Sequence, residues 1–140
     1  MQTFEDLVAG RVPARRVWED EQHLAFLNPR PIRPGHVIVL PKKHSPYLFA
    51  LDEREYEALW RAVRLVARRV ETALGCERVC VAVVGWEVRH VHVHLVPTDR
   101  AGEFPALAGV ETSEEELASV QARIAAVDGP REAPARSPAR

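Results

Sequence analysis

Apolar positions recur along the chain with two periods, and the period changes wherever glycine or proline interrupts it. Phe4, Leu7 and Val8 stand at helical spacing and predict one or two turns, closed by Gly10 and Pro13. Arg16 to Glu19 and His23 to Leu27 predict two strands joined by the polar turn Asp20-Glu21-Gln22. The connection Asn28, Pro29, Pro31, Pro34, Gly35 cannot be helical, and the β-branched run 36–40 predicts a third strand. From Tyr56 the spacing becomes three and four. Tyr56, Leu59, Val63, Val66, Val70 and Leu74 define one face of a long amphipathic helix, with Asp52 and Glu55 as a capping box and Gly75 as its stop.

The continuous apolar run 79–84 predicts a strand buried on both faces. Gly85-Trp86-Glu87 predicts a tight turn, and residues 88–96 a strand ended by Pro97. Ser113 with Glu116 predicts a second capping box, followed by a shorter helix with the stripe Leu117, Val120, Ile124, Val127 and a stop at Gly129. Hairpin-linked strands around one long helix predict an α+β fold with an antiparallel sheet. One domain is expected over residues 1–128. Residues 129–140 carry three prolines and no aliphatic larger than alanine, which predicts a disordered tail.

Composition narrows the function classes. A chain of 140 residues with 46% hydrophobic and 28% charged side chains has the means to build a core. Nineteen basic against twenty acidic side chains leave a net charge of −1, which excludes a general affinity for polymeric nucleic acid. The apolar runs are too short to span a membrane, and the acidic start Gln2-Thr3-Phe4-Glu5-Asp6 is unlike a signal peptide. A cytoplasmic protein is the expectation. Cys76 and Cys80 read best as small buried hydrophobes.

Histidine is the residue that changes the picture. Three of the six fall in His90-Val91-His92-Val93-His94. On an extended strand such alternation puts all three imidazoles on one face, with Val91, Val93 and Leu95 on the other. A row of imidazoles has no packing rationale and marks a site. Metal binding is one reading, but at strand rise His90 and His94 lie about 13 Å apart, so one ion would need further ligands from His36, His44, Glu87 or the cysteines. Nucleophilic catalysis on phosphorus is the other. The middle ring attacks, its neighbours fix its tautomer and neutralise phosphate oxygens, and no metal or other cofactor is required.

The motif with its two following aliphatics resembles the histidine triad (HIT) superfamily. The resemblance extends over residues 3–99. It includes Leu7-Val8-Ala9-Gly10-Arg11-Val12-Pro13, Ala25-Phe26-Leu27-Asn28-Pro29 and Pro34-Gly35-His36-Val37-Ile38-Val39-Leu40-Pro41-Lys42-Lys43-His44. It implies a five-stranded antiparallel sheet with one long helix and a shorter C-terminal one. It also implies a homodimer with the long helix and strand 79–84 near the two-fold axis, and transfer of a nucleotide to water through a nucleotidyl-histidine. By the same resemblance His92 is the nucleophile and His94 contacts phosphate oxygens and the leaving group. His90 orients His92, and His44 hydrogen-bonds to His90. Asn28 meets the ribose, His36 lies near it, and Phe4, Leu7, Phe26 and Leu27 form the base pocket. Histidine at 94, where the uridylyl-transferring branch has glutamine, implies a hydrolase of phosphoramidates or (di)nucleoside polyphosphates.

Two departures qualify the match. Gln2 and Glu5 stand where many bacterial members carry a Cys-x-x-Cys zinc pair, so no zinc is expected there. The lead-in Gly85-Trp86-Glu87-Val88-Arg89 is shorter than the usual loop, with Trp86 and Glu87 replacing a glutamine and a phosphate-donating hydroxyl residue. An ionised Glu87 facing phosphate would repel it. It either turns away to pair with Arg89, the preferred reading, or holds a histidine in its charged form. These replacements keep open a nucleotide-binding module with little turnover. Lys42 and Lys43 attract an anionic substrate or simply solvate a strand end, and His23, the one histidine outside the matching positions, is expected at the surface.

Overall fold

A computed structural model describes residues 3–105 and 107–127. The short helix α1 (Phe4–Val8) opens with Thr3 as N-cap in a reciprocal capping box with Asp6. Strands β1 (Arg16–Glu19), β2 (His23–Leu27) and β3 (Val37–Pro41) follow as predicted to within a residue. The long helix α2 (Glu53–Leu74) begins at the Asp52–Glu55 capping box and stops at Gly75, whose φ of 67° is the left-handed value that a side chain disfavours. Strands β4 (Arg78–Ala82) and β5 (Val93–Thr98) complete the sheet, and α3 (Glu114–Ala125) closes the described chain.

All pairings are antiparallel, in the order β1-β2-β3-β5-β4. One sheet face carries α2 over a core of Ala25, Val37, Val39, Leu59, Val63, Val66, Val91, Val93 and Leu95. The opposite face carries α1, where Phe4, Leu7 and Val8 pack on Leu24, Phe26, Ile38 and Leu40. Each fully buried aliphatic side chain contributes about 1.5–3 kcal/mol by leaving water.

Several expectations change. The run 79–84 is not buried on both faces. β4 ends at Ala82 and is an edge strand, with Val81 45% exposed. β5 begins at Val93, so His90 to His92 precede the ladder, and it continues through Pro97 to Thr98. Pro97 is tolerated because pairing with β3 ends at Leu95, leaving β4 as its partner there. Of the capping box at α3 only the Ser113 half forms, accepting the Glu116 amide at 3.0 Å. Its apolar stripe is not packed, since Leu117 and Ile124 are exposed and no residue of α3 is buried. Gly129 and the predicted tail lie outside the described residues. His23, expected at the surface, is buried and bonds through Nδ1 to Asp20 in the β1–β2 turn.

Candidate active site

The alternation predicted for 90–95 holds even where the ladder has not begun. The Val91 amide donates to the Ser45 carbonyl at 2.7 Å, which anchors the segment. Val91, Val93 and Leu95 enter the core under α2. His90, His92 and His94 emerge on the α1 face, where Phe4 lies 4.9 Å from the His92 ring and 5.9 Å from His90, centroid to centroid.

Hydrogen-bond partners assign the tautomers. A carbonyl oxygen can only accept, so His92 Nδ1, 2.7 Å from the His90 carbonyl, carries the proton. In the neutral ring Nε2 then holds a free lone pair. The orienting group is therefore the backbone of His90 and not its imidazole. The His90 ring is buried, donates from Nε2 to the Pro41 carbonyl at 2.6 Å, and leaves Nδ1 without a partner among the described residues. Burial disfavours its charged form and lowers its pKa.

His36 is the residue whose role sequence reasoning missed. It is 1% exposed. Its Nδ1 accepts the Ile32 amide at 3.0 Å, so its Nε2 bears the proton and donates to His94 Nδ1 at 2.9 Å. His94 then carries its own proton on Nε2. Burial, reinforced by His92 and His36, lowers the His94 pKa to about 4. Burial also lowers that of His36. The Ile32–His36–His94 relay thus holds His94 as a neutral N–H donor beside the nucleophile, with ring centroids of His92 and His94 4.9 Å apart. The sequence signal was the placement of His36 on the same face of its strand as Ile38, which pairs with His94.

Other predicted residues divide. Phe4, Leu7 and Phe26 gather on the histidine face. Leu27 does not join them. It is one step out of phase with Phe26 and packs on the α2 side. His44 does not bond to His90. Its Nε2 donates to the Arg89 carbonyl at 2.9 Å, and its ring meets His90 edge-on at 5.3 Å. Asn28 is tied to His36 through its amide, and its side-chain oxygen accepts the Arg30 amide. Glu87 is exposed and forms no ion pair among the described residues; Arg89 lies over the Trp86 ring at 5.2 Å instead of pairing with it. Lys42 and Lys43 pair with Glu19 and Glu55. Cys76 and Cys80 are free and partly buried.

Comparison with known proteins places this geometry. A HIT domain model matches residues 9–101. A HIT-like protein of Methanocaldococcus jannaschii is 37% identical over 101 residues, covering 67% of this chain and 76% of that protein. A crystal structure of a HIT family member from Bacillus subtilis shares 26% identity at a TM-score of 0.77, covering 91% of this chain and 97% of that one. The asymmetrical bis(5'-nucleosyl)-tetraphosphatase of Schizosaccharomyces pombe is 35% identical over 82 residues, 55% of this chain and 45% of that enzyme. The chain belongs to the HIT family, which includes hydrolases of dinucleoside polyphosphates. No helix among the described residues is long and apolar enough to cross a membrane.

Proposed function

We propose that the chain hydrolyses a nucleoside phosphoramidate or (di)nucleoside polyphosphate at its α-phosphorus, through a nucleotidyl intermediate on His92. The observation that carries this reading is the pair of bonds that sets the two rings in complementary states. The His90 carbonyl holds the proton of His92 on Nδ1, which leaves Nε2 basic, and the His36 relay leaves an N–H donor on His94.

The lone pair of His92 Nε2 forms the bond to phosphorus as the bond to the leaving group breaks, and the leaving group keeps that electron pair. The ring, still protonated at Nδ1, becomes a phosphorylated imidazolium. Water then attacks phosphorus, the P–N bond returns its pair to Nε2, and the water proton passes to solvent. His94 donates a hydrogen bond to the oxygens that gain charge. A phosphate departs as a stable anion and needs only such donors, whereas an amine must also gain a proton. The neutral state of His94 therefore favours the polyphosphate among the two substrate classes.

The base lies against Phe4, Leu7 and Phe26, and Asn28 and His36 stand near the ribose. No cofactor takes part. The protein works in the cytoplasm as a homodimer, for which the exposed apolar edge at Val81 supplies a surface. The test is mass spectrometry of the intact protein quenched during turnover. A nucleotidyl adduct is expected on the wild type and none on His92→Ala, with turnover at least a thousandfold lower in the variant. Wild-type turnover no faster than that of His92→Ala would move the protein to the binding-module class.

A further inference from the structure

His92 has a second neighbourhood that the reaction above leaves unused. It also lines a cavity of about 400 Å³ between residues 46–49 and residues 83–91, of which Phe4 forms no part. The walls include Phe49, 60% exposed, and Trp86, 74% exposed, large aromatic faces turned to solvent at a cost that folding alone does not explain. The guanidinium of Arg89 rests on the Trp86 ring.

These walls are held together. His44 donates to the Arg89 carbonyl, and Val91 donates to the Ser45 carbonyl, so the two segments are tied to each other. The cavity is large enough for a nucleoside and combines π-faces with the Arg89 cation. It shares His92 with the apolar patch of Phe4 and Phe26, so the reacting centre stands between two aromatic sites.

We infer that this cavity receives the second nucleoside of a dinucleoside polyphosphate, stacked on Trp86, with Arg89 reaching the phosphates of the leaving group. The inference rests on the hydrolase reading and narrows its substrate class. It gives Trp86 and Arg89 the task of selecting a nucleotide as the leaving group, in place of a small amine or alcohol. The lead-in that departs from the family pattern thus becomes a specificity element.

The experiment compares kcat/KM for diadenosine tetraphosphate and for adenosine 5'-phosphoramidate in the wild type, Trp86→Ala, Trp86→Phe and Arg89→Gln. Trp86 is exposed, so these variants should fold. Base stacking on an aromatic ring predicts that Trp86→Ala lowers the dinucleotide-to-phosphoramidate ratio about tenfold, chiefly through KM. Trp86→Phe should restore most of the ratio, and Arg89→Gln should lower it with a weaker dependence on salt. An unchanged ratio in Trp86→Ala overturns the inference, as does an equal loss on both substrates accompanied by a change of oligomeric state. Failure of the hydrolase reading itself would look different. Neither substrate would then turn over above His92→Ala, and a calorimetric Kd for the dinucleotide that still weakens about tenfold in Trp86→Ala would support the cavity without the chemistry.

Discussion

The two faces of one short segment, residues 90–95, have opposite assignments. Toward α2, Val91, Val93 and Leu95 are buried among aliphatic side chains and have no polar contact to satisfy. Toward α1, His90 and His92 are also buried and His94 is partly so, yet each ring has a partner that dictates where its proton sits. Burial therefore serves two ends. On one face it lowers free energy by removing hydrocarbon from water. On the other it costs free energy by suppressing the charged imidazole, and the gain is a set of rings with fixed tautomers.

The comparison can be broken first at its extremes. Leu95→Ala should cost 2–5 kcal/mol, roughly, in chemical denaturation while the remaining folded protein keeps its turnover. His92→Ala should do the reverse, losing activity with little change in denaturation midpoint. A variant pair that failed to separate in this way would show the two faces to be one cooperative unit.

A sharper cut goes through His36, which is buried like the valines but acts through His94. In His36→Gln the side-chain amide reaches the place of the wild-type Nε2 and can turn its oxygen toward His94 Nδ1, so the charged form of His94 gains an acceptor it lacks in the wild type. The His94 titration, followed by imidazole nitrogen NMR, should rise from about 4 toward the ordinary histidine value. We expect kcat/KM to fall about tenfold with it. A merely structural role for His36 would lower stability and leave that titration in place.

The smallest effect concerns acid. His94, His90 and His36 have lowered pKa values when folded, so the unfolded chain binds more protons below the ordinary histidine range. Stability should rise with pH through the window from about 4 to about 6.5, and be lost as pH falls through it. A thermal melt at pH 5 should lie on the order of 5 °C below that at pH 7.5. The His94→Asn variant should show a smaller difference, and a melting temperature independent of pH would contradict the burial argument.

How much of this was legible beforehand follows the range of the interaction. The Asp52–Glu55 capping box, the 3.6-residue stripe of α2 and the two-residue alternation of 90–95 are local, and each appeared where the spacing placed it. The run 79–84 misled because uninterrupted apolar sequence specifies affinity for an apolar surface without saying that this chain supplies one on both sides. Leu27 was assigned with its neighbour Phe26 although adjacent strand residues face opposite ways. His23 was left to solvent because its Asp20 partner serves a turn and not a catalytic pattern.

By itself, the sequence determined the order of elements, the α+β class and the histidine face, since all of these depend on spacing within a few residues. It also carried the family pattern that names His92. Tertiary structure alone decided which atoms meet. His36 and His94 are brought together by the β3–β5 register, and His44 meets the Arg89 carbonyl through the way two loops close. Proton positions depend on those meetings, because a histidine nitrogen becomes donor or acceptor only when a partner forces the choice. The cavity at Trp86 has the same origin: its walls are far apart in sequence, and only the folded chain gathers them with His92 around one space.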